Sequence, residues 1–217
     1  MPTLISHIAD QQGLLDELNY LNMDEIRSFC DRYCIPYRIW IRTPDGERRR
    51  TTDIDRKGII LDRIRRYLKT GIVPGPTCFP ACVVSSEIGT GDIKATDRLL
   101  YGQYDKKNVA MMALLKRLTA GQFKDGAIAR ILANEFWRSG TAPTYREYAA
   151  RWLQARAERS RPNPEWAFLA DMSTGKEATD WKQQRVKKAR HVLKILNSLE
   201  PKARQAVAAD RAKPRSG

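Results

Sequence analysis

The chain has 217 residues, long enough for one large domain or two small ones that each bury a core without metal or disulfide staples. Its 39 Lys+Arg against 25 Asp+Glu leave a formal net charge of +14, which favours a polyanionic partner, nucleic acid being the commonest. No apolar run approaches the roughly 20 residues that span a bilayer, and the first residues, M-P-T-L-I-S-H-I-A-D, lack the basic start and apolar core of a signal peptide.

The expected class is therefore a soluble chain that is cytoplasmic, or nucleoid- or nucleus-associated, not secreted and without a membrane partner. Four Cys in this setting are expected as reduced thiols. The basic excess is uneven. Residues 1–91 hold 13 basic against 12 acidic side chains, and residues 92–217 hold 26 against 13. Within the first half, residues 38–70 hold 11 basic against 5 acidic.

In chain order, an apolar-periodic segment from Leu14 restarts at Asn22, an N-cap with Glu25 three positions on to complete a capping box. Ile26, Phe29, Cys30 and Tyr33 form the buried stripe of that helix, and Pro36 ends it. In Y-R-I-W-I-R, Tyr37, Ile39 and Ile41 alternate with Arg38, Trp40 and Arg42, the period of a half-buried strand. T-P-D-G turns the chain, and E-R-R-R-T-T returns as the partner of a β-hairpin.

A helix follows, with Asp53 or Asp55 as N-cap and Thr70-Gly71 as its stop. Ile60, Leu61, Ile64, Tyr67 and Leu68 share its inner face, and Asp62, Arg63, Arg65, Arg66 and Lys69 its outer one. Pro74, Pro76 and Pro80 predict an irregular or extended passage, and S-S-E-I-G-T-G-D a domain boundary. Beyond it the chain reads as helices: a central core helix over 108–119; one over 125–138 burying Ile128, Ile131, Leu132 and Phe136; and one opened by the capping box T-Y-R-E at Thr144, burying Tyr148 and Trp152. The last, over about 177–198, buries Val186, Ala189, Leu193 and Leu196, before a frayed tail.

The segments M-D-E-I-R-S-F-C-D-R-Y-C-I-P and D-R-K-G-I-I-L-D-R-I-R-R-Y-L, within residues 22–71, together resemble the SAP family of small DNA-binding domains, here with a hairpin's length of chain between the two helices. The resemblance implies DNA-backbone contacts at the start of the second helix, on Arg56, Lys57 and Gly58. A helix N-terminus with adjacent cations is an anion site on physical grounds too, although Asp53 and Asp55 compete for the same N–H groups. The expected fold class is mainly α with a small β-hairpin (α+β). It comprises a SAP-like helix-hairpin-helix module with a Pro-rich extension over residues 1–90, and an all-α basic helical domain over 93–217.

Two further constellations carry charge. On the hairpin, Trp40 lies between Arg38 and Arg42 and the return strand brings Arg48, Arg49 and Arg50 alongside, so an indole can stack while guanidinium groups meet phosphates. On the last helix Lys187, Arg190 and Lys194 share the outer face and can track phosphates. The pairs Cys30-x3-Cys34 and Cys78-x3-Cys82 raise zinc, but small buried core residues explain them better, and neither metal nor cofactor is expected. Residues 128–153 raise a helix-turn-helix, although the turn exceeds its usual three or four residues, and an ordinary αα-hairpin fits better.

His7 and His191 lie in no acid/base arrangement, S-T-G-K at 173–176 lacks a phosphate loop's glycine frame, and no catalytic motif is present. The expectation is a non-enzymatic DNA-binding protein that contacts the phosphate backbone with little base specificity. The alternatives are a protein-interaction adaptor docking through its helical domain, and RNA or single-strand binding through the Trp-Arg hairpin.

Overall fold

The structure, a computed structural model, describes residues 4–5, 9–85, 92–158 and 178–199. The chain divides into two compact units that interleave along the sequence: Met1–Tyr37, Arg56–Gly75 and Asp171–Gly217 form the first; Arg38–Asp55 and Pro76–Ala170 form the second. The division therefore does not fall between residues 90 and 93. The hairpin belongs with the following helices, and the last helix belongs with the first ones.

The first unit is helical. Helix α1 (Gln11–Glu17) is capped by Asp10, whose carboxylate accepts from the Gly13 N–H, and runs into a 3-10 turn at Leu18–Tyr20. Helix α2 (Met23–Tyr33) starts at the predicted capping box: Asn22 Oδ1 accepts from the N–H groups of Asp24 and Glu25, and Glu25 Oε2 accepts from the Asn22 N–H at 2.6 Å. Three backbone donors are satisfied by the two side chains, so Asn22→Ala is expected to cost about 1 kcal/mol. Urea unfolding of the full chain checks it; an unchanged midpoint would count against the box.

Helix α2 buries the predicted Ile26, Phe29, Cys30 and Tyr33. It packs on the helix over Lys57–Thr70, α3, which buries Ile60, Leu61, Ile64, Tyr67 and Leu68 and stops at Gly71 in the left-handed region, φ 70°. A C-terminal helix, Ala178–Ser198, closes the unit against α1 and the 3-10 turn. It buries Ala189, Val192 and Leu196, whereas Val186, expected inside, is exposed and Leu193 is half-buried. The inner face follows Lys188, Val192 and Leu196 rather than Val186 and Leu193.

The second unit holds a three-stranded sheet ordered β2-β1-β3. Strand β1 (Arg38–Arg42) runs antiparallel to β2 (Arg48–Ile54) and parallel to the short β3 (Cys78–Phe79), which the Pro-rich passage supplies. Helices α4 (Val109–Leu118), α5 (Ala127–Arg138) and α6 (Tyr145–Glu158) follow, and the C-terminal helix over 178–198 is α7. Mainly α with a small β part is the fold class observed, but the second unit is not all-α: Ile39 and Phe79 from the sheet share its core with Leu115, Trp137, Tyr148 and Trp152.

Helix α5 turns Ala129, Leu132, Ala133 and Trp137 inward and leaves Ile128, Ile131 and Phe136 half-buried, a rotation of about one residue from the expected stripe. The widest apolar surface, the Trp137 indole, sets the orientation. The capping box of α6 forms, with Glu147 Oε2 accepting from the Thr144 N–H and Thr144 Oγ1 from the Glu147 N–H. Helix α4 is no central core helix, since Val109, Ala110 and Ala113 are exposed. Residues 86–91 of the predicted boundary stretch S-S-E-I-G-T-G-D, His7, the S-T-G-K stretch and the tail beyond residue 199 lie outside the described residues.

Candidate nucleic-acid interface

The hairpin sorts its residues by the pleat. Ile39 lies in the core of the second unit and Ile41 packs against it, so Arg38, Trp40 and Arg42 point to the opposite face. Trp40 pairs with Arg50 and Arg42 with Arg48, and directly opposed residues share a face. Trp40, Arg42, Arg48 and Arg50 therefore form one surface. Arg49 pairs with Ile41 and leaves on the other face, which corrects the expectation that all three arginines of the return strand stand beside the indole.

The arginines of this surface have no ion-pair partner among the described residues, and Arg42, Arg48, Arg49 and Arg50 are all exposed. Arg42 directly opposite Arg48 is a like-charge cross-strand pair, an arrangement that destabilises a sheet. Two of the three hairpin acids are engaged, since Asp53 accepts from the Tyr101 hydroxyl at 2.5 Å and a hydrogen bond from Thr43 holds the Asp45 carboxyl below its usual range, while Glu47 makes no ion pair among the described residues. Trp40 is half-buried, lies outside the core cluster and has no cation–π partner among the described residues. Arg38 differs from its neighbours, donating to the Thr52 carbonyl at 2.9 Å.

At the start of α3 the N-cap is Arg56, not Asp53 or Asp55. Strand β2 runs through Ile54 and takes Asp53 into the sheet, and Asp55 is buried at 5% exposure. Lys57 turns inward. Its ammonium donates to the Asn19 carbonyl at 2.6 Å, and burial, then the Arg185 charge, lowers its pKa against the opposing pull of Glu25. Gly58 is half-buried on the same first turn. Of the predicted outer face, Arg63 is buried and donates to the Pro36 carbonyl, and half-buried Arg65 is held by Asp62 and Asn19. Arg66 and Lys69 are exposed.

Helix α7 separates its cations into two sets. Arg185 donates to the Tyr20 carbonyl and meets Glu25 at 3.4 Å, Lys188 lies 4.5 Å over the Tyr20 ring, and His191 Nδ1 lies 3.0 Å from Glu17. These residues flank the buried Ala189 and Val192 and dock the helix. Lys187, Arg190 and Lys194 point the other way, exposed and without an ion-pair partner among the described residues. The sequence carried the signal that separates the sets: Arg185, Lys188 and Val192 recur at helical spacing, which marks 185 and 188 as inner cations.

The four cysteines are not a buried set. Cys30 is buried, Cys78 half-buried, and Cys34 and Cys82 exposed; the first pair belongs to the first unit and the second to the second. Burial pushes the Cys30 thiol up to about 12. Among the described residues no group of three or more His, Cys, Asp or Glu is placed to hold a metal ion, and no helix is long and apolar enough to cross a membrane. Comparison of the chain with protein-family models, with curated proteins and with solved structures finds no match.

Proposed function

We propose that the protein is a non-enzymatic DNA-binding protein whose contacts fall on the phosphate backbone. The observation that supports this is the pairing of Arg42 with Arg48 beside Arg50, exposed and un-neutralised among the described residues. Charges on an edge strand also block edge-to-edge pairing, but one or two suffice for that and none need oppose a like charge. A polyanion removes the repulsion on binding, so the same contact supplies affinity and relieves the sheet.

The SAP resemblance of residues 22–71 agrees in ligand class but shifts in detail. Lys57 is committed to Asn19, so in this reading the hairpin and the Lys187, Arg190 and Lys194 stripe carry the charge that the start of α3 was expected to carry. Base-specific readout is not proposed, because these side chains suit phosphate and no element of the described residues is singled out for a groove.

The test is equilibrium binding of the full chain to a random-sequence duplex between about 50 and 200 mM salt. The wild type is expected to bind at the low end with a linear log–log salt dependence, and Arg42→Gln/Arg48→Gln/Arg50→Gln to flatten its slope by about 2.7, roughly 0.9 per lost phosphate contact. Absence of binding at low salt, or an unchanged slope in the variant, overturns the reading. Trp40 on the same face favours a second reading, single-strand or RNA binding by stacking. A single-strand preference that Trp40→Ala abolishes would establish it.

A further inference from the structure

Helix α4 exposes a face that packing within its own unit leaves unexplained. Met111, Leu114 and Leu115 are buried, whereas Val109 is 80% exposed and Ala113 lies one turn on. Lys106 and Lys107 precede that face and Lys116 and Arg117 end it, all four exposed and without an ion-pair partner among the described residues. Positions 109, 113, 116 and 117 share one side of a helix. The neighbouring acid, Asp105, is tied to the Lys107 backbone N–H at 2.9 Å.

The helix dipole accounts for only half of this arrangement. Cations suit the last turn, where Lys116 and Arg117 sit, but Lys106 and Lys107 stand at the positive end, and no acid occupies the first turn. An anionic ligand offsets that placement.

We infer that the exposed face of α4 is a second DNA-backbone contact surface, resting on the DNA-binding reading above. Its size and charge select this occupant. Ten helical residues run about 15 Å, the rise of four to five base steps along one strand, so cations at both ends reach separate phosphates. The low Ala113 lets the backbone approach, and Val109 offers methyl groups to the sugar edge.

Other occupants fit less well. A stable protein interface buries roughly 800 Å² per partner around large anchors, and this face has one large apolar side chain. An interfacial membrane helix needs Trp, Phe or Leu on its apolar side, which this face lacks.

Two measurements test the surface in the full chain. The first is the duplex salt series with Lys106→Gln/Lys107→Gln and, separately, Lys116→Gln/Arg117→Gln. Each pair is expected to flatten the slope by about 1.8 and weaken low-salt binding several-fold, with helical circular dichroism unchanged. The second needs no variant: lysine acetylation of the wild type, read by mass spectrometry, is expected to fall at least threefold at Lys106, Lys107 and Lys116 when duplex is bound.

If the wild type binds duplex, the hairpin variant weakens it and neither α4 variant nor the acetylation pattern changes, the α4 surface is wrong and the DNA-binding reading stands. If the wild type binds no duplex, both fall. Equal protection of these lysines by anionic phosphatidylserine vesicles or by polyglutamate overturns DNA as the occupant.

Discussion

Trp137→Ala is expected to destabilise the protein by about 3–5 kcal/mol, a large share of the 5–15 kcal/mol that holds a domain together. The indole is 4% exposed at the centre of the second unit's core. Its ring meets Phe79, Tyr101 and Tyr104 edge-on, with centroids 5.9, 5.4 and 6.4 Å away. Its Nε1–H donates to the Leu99 carbonyl at 3.0 Å. Truncation removes ring burial, the edge contacts and that donor together, and the surrounding aromatic rings cannot collapse into so large a void.

Trp137→Phe separates these contributions. It keeps most of the ring contacts but leaves the Leu99 carbonyl without its indole donor, for an expected loss of about 1–3 kcal/mol. Urea unfolding of both variants checks the pair. A loss below about 1 kcal/mol for the alanine variant would show that Trp137 does not anchor this core.

Local signals in the sequence translated directly into structure where one element decided the outcome. The capping boxes at Asn22 and Thr144, the buried stripes of α2 and α3 and the Gly71 stop depend on neighbours within about four residues, and the hairpin on one turn between adjoining strands. What failed was non-local. Two residues of β3 pair with β1 across more than thirty positions and draw the hairpin into the second unit, and no periodicity announces a two-residue strand among prolines. The start of α3 was misplaced because Asp53 continues the strand and serves Tyr101, a partner invisible from Asp53's own neighbours.

Charge was harder to read than hydrophobicity, for a physical reason. Apolar residues must be buried somewhere, whereas a cation is satisfied by water, a carbonyl, a ring or a phosphate. Arg63, Arg65 and Lys57 stood in the predicted basic segment yet donate to Pro36, Leu15 and Asn19. Arg42, Arg48 and Arg50 make no such contact within the described residues. The basic side chains thus sort into cations that build the fold and cations with no such contact among the described residues, and only their partners distinguish the two.

Raising the pH from 9 to 11 is expected to destabilise both units. In the second unit burial pushes Tyr145, 2% exposed, up to about 12, with Asp97 adding to the shift, and raises Tyr148, which is fully buried, in the same direction. In the first unit buried Cys30 is raised from 9.0 to about 12 by burial, with Asp31 adding and Arg63 opposing. All three groups are held neutral in the fold. Their contribution is fully present below the unfolded values, near 10 for tyrosine and near 9 for cysteine, and is lost as pH climbs toward the folded ones.

Each group removes about 1.4 kcal/mol per pH unit once its unfolded form is ionised, so Tyr145 and Tyr148 together remove about 3 kcal/mol by pH 11. Urea midpoints at pH 8, 10 and 11 report the fall, and Tyr145→Phe should lose stability less steeply by about 1.4 kcal/mol per pH unit. Equal slopes for variant and wild type would mean that Tyr145 ionises as freely in the fold as in the unfolded chain. Unfolding rather than duplex binding reads this loss, because lysine side chains in general and the duplex's own base N–H groups also give up protons between pH 9 and 11.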